Sequence, residues 1–117
     1  NKVEDYGVGF YTKYGDGGVD IAPIADIYKT EVWELGKYLS IDQRIINADP
    51  TDGLWEDGRT DEDQIGTSYE MLEWAMEEGT KLPIDQLNKT QKTAIDILTK
   101  FNTQNKHKMI SIPTFKL

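Results

Sequence analysis

Only one short segment of this chain alternates apolar and polar residues: Val19 to Ile24, VDIAPI, as far as Pro23. A period of two predicts a strand. Every other patterned segment repeats at helical spacing. A lone strand leaves its rows of backbone donors and acceptors unpaired, so it needs a sheet supplied from outside these residues. The chain therefore reads as the mostly helical part of a larger α/β domain. Its opening, Asn1 to Asp5, has no initiator methionine and agrees with an expected C-terminal fragment.

The helical segments are spelled by their apolar stripes. Residues 1–5 suit a helix end or start, broken by Gly7 and Gly9. Thr30 is expected to cap a helix running to Leu39, with Glu31 and Glu34 near its positive end. Val32, Leu35, Gly36 and Leu39 would form its apolar face. Ser40 reads as the cap of a short second helix through Ile45 and Ile46. Residues 47–60, NADPTDGLWEDGRT, carry Pro50, Gly53 and Gly58 and predict a long loop on which Trp55 docks against something. Ile65, Tyr69, Leu72 and Met76 predict one continuous helix ended by Gly79. The last helix is predicted over Leu87 to Asn105, with Ala94, Leu98 and Phe101 inward. Asn88-Lys89-Thr90 matches a glycosylation acceptor, but in a cysteine-free, leaderless chain it reads as a helix start.

Composition narrows the function classes. A length of 117 residues is one domain's worth, and 38% apolar content argues against disorder. The absence of cysteine excludes a disulfide scaffold and a thiolate metal site. No apolar run approaches about 20 residues, so a soluble, cytoplasmic chain without a membrane partner is expected. Residues 1–80 carry 6 Lys/Arg against 19 Asp/Glu, and residues 81–117 carry 7 against 2. An acidic body of net −13 thus ends in a basic tail of +5. Such a body repels nucleic acid, whereas the tail suits one small anion or the acidic part of a second copy.

Several residue groups carry chemistry. FYTKYGDGGVD, residues 10–20, combines two aromatics, a lysine and clustered glycines: a tight turn, or a wall on which a flat anionic ligand rests. The acidic run Glu56, Asp57, Asp61, Glu62 and Asp63 lacks the spacing of a calcium loop, and Asp61 and Glu62 suit the first turn of the next helix. His107, the only histidine, cannot build a metal site or a triad alone. With Lys106 and Lys108 it is an anion-site candidate or a complement to a helix end. Lys29 follows the predicted strand and precedes a helix, where anions bind in α/β sheets, and Glu4 would meet it only from the end of a neighbouring strand.

Taken together, NKVED, FYTKYGDGGVD, IADIYKTEVWELGKYL, DPTDGLWEDGRTDEDQIG and the final His107-Lys108 resemble the C-terminal half of the NAD⁺ synthetases, in particular the ammonia-dependent bacterial type. The resemblance spans Asn1 to about Met109. It implies an adenine-nucleotide hydrolase-like fold with a parallel sheet, of which residues 1–117 would be the C-terminal portion. It further implies adenylation of the nicotinate carboxylate of deamido-NAD⁺ by ATP, displacement of AMP by ammonia, assistance by Mg²⁺, and a homodimer with deamido-NAD⁺ near the subunit interface. Position by position, it makes Glu4 the Mg²⁺ ligand and Lys29 and Thr51 the ATP contacts. Lys13, Asp20, His107 and Lys108 become deamido-NAD⁺ contacts, the last two reaching toward the neighbouring subunit. The family's phosphate loop, Ser-Gly-Gly-x-Asp-Ser, is not among these residues, so the chain alone is expected to be inactive. The loop reads Thr51-Asp52-Gly53-Leu54 where relatives have Ala-Asp-Leu after the threonine, which leaves the role of Asp52 open. Asp5 stands as an alternative metal ligand to Glu4. The rival readings are a helical interaction module and another ATP-dependent, amide-forming member of the same superfamily.

Overall fold

In the computed structural model, which describes all 117 residues, Val3–Val8 form a π-helix, and five α-helices follow. They are α1 (Lys29–Tyr38), α2 (Gln43–Ile46), α3 (Asp61–Ile65), α4 (Tyr69–Glu77) and α5 (Lys89–Met109), with 3-10 turns at Gly79–Lys81 and Ile84–Gln86. No strand forms. Residues 19–24 pair with no strand; the Ala22 and Ile24 carbonyls accept from Ala25 and Ile27 N–H in turns, and Val19, Ile21 and Ile24 stand exposed. The strand expectation fails because period-two patterning supplies a face to bury and no backbone partner within the chain.

The core is small and lies where α4 and α5 grip the π-helix. Val3, Val8, Tyr69, Leu72, Ala75 and Ala94 are fully buried, and Ile65 and Leu98 nearly so. The apolar stripe from Ile65 to Met76 points into this core as its spacing predicts, but one helix is replaced by two. Gly66 turns left-handed at φ 96°, Ser68 caps α4 by accepting from the Met71 N–H, and Glu62 accepts from the Tyr69 N–H at 2.7 Å. The stripe survives because the break keeps the helical phase.

α5 is capped as its sequence suggests: Asn88 and Gln91 exchange side-chain-to-backbone bonds of 2.9 Å each. Further along the face that buries Ala94 and Leu98 come Asn102, Asn105 and Lys108, one turn apart, and all three donate to carbonyls of residues 6–11. Asn102 Nδ2 meets the Tyr6 and Gly7 carbonyls at 3.1 and 2.8 Å, and Asn105 Nδ2 meets Val8 at 2.9 Å. Lys108 Nζ meets Gly9 and Tyr11, each at 2.8 Å. The Tyr6, Gly7 and Val8 carbonyls are ones that the end of a helix leaves without internal partners, and those of Gly9 and Tyr11 follow it. α5 therefore stitches the π-helix and the chain beyond it.

The start of α1 is held differently from the sequence reading. Thr30 is not the cap; Tyr28 precedes the helix, its N–H donating to Glu31 at 2.7 Å. Thr30 instead gives both its N–H and its hydroxyl to Glu73 of α4, at 3.0 and 2.6 Å. The short second helix starts at Gln43 behind Asp42, and Ser40 adopts a left-handed turn at φ 56°. Of the predicted apolar face, Leu35 and Leu39 are exposed, whereas Val32 and Gly36 are half-buried and Gly36 faces Ile46 of α2. Trp55 packs under the Arg59 guanidinium, 4.6 Å away, and stays half exposed. No helix is long and apolar enough to cross a membrane.

Candidate functional site

The principal cavity, about 820 Å³, opens between the π-helix, the segment from Phe10 to Ala25, the start of α1 and the loop before α3. Glu4, Lys29, Thr51 and Lys108 all line it, as do Asp5, Asp52 and Asp61. Four predicted site residues, far apart in sequence, thus share one cleft. Lys13 and His107 do not line it; they sit together beside it, Lys13 Nζ lying 3.5 Å from His107 Nδ1. Asp20 is exposed and also lies outside the lining.

Glu4 reaches the cavity from a π-helix and not from a strand. The wide turn buries Val3, Gly7 and Val8 while turning Glu4 outward, and π-turns are frequent at functional sites. Glu4 Oε1 accepts from the hydroxyl of buried Tyr69. Asp5 has no such buried anchor.

Lys29 is the first residue of α1, and its Nζ lies 5.3 Å above the Tyr69 ring. It pairs with no carboxylate. A lysine placed against an aromatic face and left unpaired in a cleft is available to an incoming anion. Glu4 and Lys29 form no ion pair with each other; both contact Tyr69, Glu4 at its hydroxyl and Lys29 over its ring.

Below them, Asp61 is buried and its carboxyl is pushed above the usual range, first by burial and then by the charge of Glu4, with Lys29 pulling it back. The Tyr69 phenol is also pushed up, by burial and by its bond to Glu4, so it stays a protonated donor. No three His, Cys, Asp or Glu side chains converge to cage a metal. An ion here would draw on Glu4 and on oxygens from outside the chain, a mixture that suits Mg²⁺.

Thr51 and Asp52 belong to a loop closed on itself. Asp61 N–H donates to the Pro50 carbonyl at 2.9 Å, and the Thr51 hydroxyl donates to Arg59 at 3.3 Å and accepts from Gly53 at 3.1 Å. Asp52 accepts from Leu54 N–H and from Gln64, at 3.0 and 3.2 Å. The Phe10–Asp20 segment is both turn and wall. Asp16 accepts from Thr12 N–H at 3.1 Å, while Phe10, Tyr11, Thr12 and Asp16 face the cavity. Its glycines serve close approach here, not positive φ: a Cβ on Gly17 would stand 2.6 Å from the Lys13 carbonyl oxygen.

Lys108 lines the cavity, yet two of its three donors are spent on Gly9 and Tyr11, and burial lowers its pKa. Sequence reasoning passed over Asp61, taken as a first-turn helix residue, and Tyr69, taken as core. The available signal was that a tyrosine on a buried stripe needs a partner for its hydroxyl.

A family model described as NAD synthase matches residues 1–111. Among curated proteins, the chain is 42% identical over 129 residues to the NH(3)-dependent NAD(+) synthetase of Methanosarcina acetivorans, covering 100% of the chain and 46% of that protein. To the synthetase of the same description from Alkaliphilus oremlandii it is 38% identical over 117 residues, 100% of the chain and 42% of the relative. To that of Alkaliphilus metalliredigens it is 52% identical over 75 residues, 64% of the chain and 30% of the relative. The chain spans less than half the length of these relatives.

Proposed function

The chain belongs to the NAD synthase family, and on that premise we propose that it forms the C-terminal portion of an enzyme that amidates deamido-NAD⁺ with ammonia, using ATP. The observation that carries this reading is the convergence of Glu4, Lys29 and Thr51 on one cavity from three separate segments. In the proposed reaction a nicotinate carboxylate oxygen attacks the α-phosphorus of ATP, and pyrophosphate leaves. Ammonia then attacks the carboxyl carbon, AMP departs with the bonding pair, and the nitrogen loses its extra proton.

The chain's residues suit the charge changes in that sequence. Lys29, unpaired and braced on Tyr69, meets phosphate oxygens where negative charge develops as pyrophosphate leaves. Glu4, fixed by the Tyr69 hydroxyl, orients a Mg²⁺ ion. The ion, when bound, supplies further stabilisation of phosphate charge. Thr51 lines the same cavity, and in this reading its hydroxyl contacts ATP. Lys13 and His107 form an anion contact beside the cavity for deamido-NAD⁺, with Asp20 and the free third donor of Lys108 as its further polar contacts. In the complete protein the unpaired segment 19–24 joins a parallel sheet. A homodimer brings the basic tail to the neighbouring site, and the enzyme works in the cytoplasm. Without the family's phosphate loop the chain alone is inactive.

The test is Lys29→Ala in the complete protein, assayed for turnover and for folding. Loss of a charge-stabilising donor predicts a fall in kcat of about 10²-fold or more. The Lys29 side chain makes no ion pair or hydrogen bond within the chain, so the melting temperature stays near wild type. Normal turnover with a lowered melting temperature would assign Lys29 a structural role instead.

A further inference from the structure

Three consecutive residues at the start of α1 are each held by a different side chain from one face of α4. Tyr69, Glu73 and Glu77 lie one turn apart along that helix. The Tyr28 hydroxyl donates to Glu77, and the Lys29 ammonium lies 5.3 Å over the Tyr69 ring. Thr30 donates to Glu73 through both its N–H and its hydroxyl, at 3.0 and 2.6 Å. Glu73 is the unusual member of this set. Both its oxygens are spent on one residue, and no lysine or arginine of the chain pairs with it. It does not line the cavity, whereas Lys29, next to its partner Thr30, does. Capping of α1 does not account for it, because Glu31 already accepts from the Tyr28 N–H at 2.7 Å.

We infer that Glu73 is a positioning residue for the proposed reaction: by holding Thr30 it fixes the first turn of α1, and so keeps the Lys29 ammonium over Tyr69 and in the cavity. The inference rests on the reading of Lys29 as a phosphate contact given above. The first N–H groups of a helix have no carbonyl within it to bond, so its first turn frays unless an outside group accepts from it. Lys29 stands in that turn. Its charge rides on a flexible four-carbon stem, so its aim depends on where the backbone beneath it is fixed. A carboxylate is the acceptor best suited to the positive end of a helix. Tyr69 belongs to the same helix as Glu73, is fully buried, and is packed edge-on by Trp33 at 6.4 Å and 81°. One rigid element thus sets both the backbone that carries Lys29 and the ring on which its ammonium rests. Loss of Glu73 frees the first and leaves the second in place.

The test is a double-mutant cycle on kcat in the complete protein, with ATP, deamido-NAD⁺ and ammonia, well below the melting temperature of every variant. Glu73→Ala is expected to lower kcat about 10- to 100-fold, the scale of loss when a reacting group is misplaced by about 1 Å. In the Lys29→Ala background the same change should cost almost nothing further, because the group it aims has gone. A merely structural loss would instead multiply with that of Lys29→Ala, and full multiplication overturns the inference. Glu73→Gln should recover most of the turnover, its amide oxygen accepting from the Thr30 N–H and its amide nitrogen donating to the Thr30 hydroxyl. Turnover as low in Glu73→Gln as in Glu73→Ala overturns it too, since charge and not contact would then carry the effect. Thr30→Val removes one of the two bonds from the other side, serves where Glu73→Ala fails to fold, and should lower kcat several-fold in the Lys29 protein but not in Lys29→Ala. If Lys29→Ala is impaired while Glu73→Ala and Thr30→Val turn over as wild type, the inference falls and the reading of Lys29 stands. If Lys29→Ala itself turns over normally, that reading falls and takes the inference with it.

Discussion

Gly9 and Lys108 show how closely single residues near the cavity are constrained. Gly9 has φ 65°, and a Cβ there would stand 2.5 Å from the Cβ of Asn105, an atom no rotamer change can move away. Left-handed backbone costs a side-chain-bearing residue roughly 1–2 kcal/mol before any clash. Gly9→Ala should therefore destabilise the protein by more than about 1 kcal/mol, measured by denaturant unfolding. Lys108 reads from sequence as an outward-facing tail cation, and its two bonds to Gly9 and Tyr11 were not legible, because they join residues 97 or more apart. Lys108→Ala strands two part-buried carbonyls and should lower stability by about 1–3 kcal/mol, whereas Lys106→Ala, exposed, should stay within about 0.5 kcal/mol. Equal melting temperatures for the two variants would show that the Lys108 bonds do not hold the loop. The same measurement qualifies its proposed binding role, since a fall in deamido-NAD⁺ affinity counts as recognition only beyond what loosening of residues 9–11 produces.

Helices whose apolar stripes face a partner within the chain were legible; elements whose partners lie elsewhere were not. α5 shows the first case: its cap at Asn88 and its buried Ala94 and Leu98 follow from spacing and cap chemistry alone. Segment 19–24 and the outer face of α1 show the second, because a pattern announces a face but not what covers it. The break at Gly66 escaped notice since positions 65, 69, 72 and 76 keep helical phase across it. The Glu73 brace on α1 escaped too, being a contact between residues 43 apart. Interelement carboxylates also set the acid limit of the fold. Glu77 accepts from the Tyr28 hydroxyl, which holds its carboxyl below the usual range. Asp63 is held low by its bonds from the Thr60 backbone and hydroxyl. A carboxylate whose pKa folding lowers stabilises the fold above its unfolded pKa, about 4, and that stabilisation disappears as pH falls through the folded value. The melting temperature should thus fall on acidification below about pH 4, and Glu77→Gln should show a shallower fall over that range. A pH profile identical to wild type would mean that the Tyr28 bond does not link α4 to the approach of α1 in solution.

The whole molecule exposes more surface than a self-contained fold of its mass. Its accessible surface is 8376 Å², against about 6,500 Å² expected for a folded monomer of 13.4 kDa. Its radius of gyration is 15.8 Å, where about 13 Å is expected for a compact chain of this length. Residues 110–117, all exposed, carry part of the surplus. The rest includes Val19, Ile21, Leu35, Leu39 and Ile45, an apolar set on the unpaired segment and on α1 and α2. A surplus near 1,900 Å² is more than twice what one partner hides in an interface of standard size. Only 13 of 117 residues are buried, so the chain's own core is too small to confer much stability once conformational entropy is opposed. Residues 1–117 expressed alone should therefore bind a hydrophobic dye, associate as concentration rises, and unfold over a broad denaturant range. The complete protein should show none of the three, because the proposed sheet and subunit interface cover the same residues. Leu35→Glu with Leu39→Glu separates covering from mere exposure: it should solubilise residues 1–117 alone yet destabilise the complete protein by several kcal/mol, since it buries charge without a partner. If the double variant leaves the complete protein's melting temperature unchanged, the outer face of α1 faces water in both, and the surplus surface belongs to the tail.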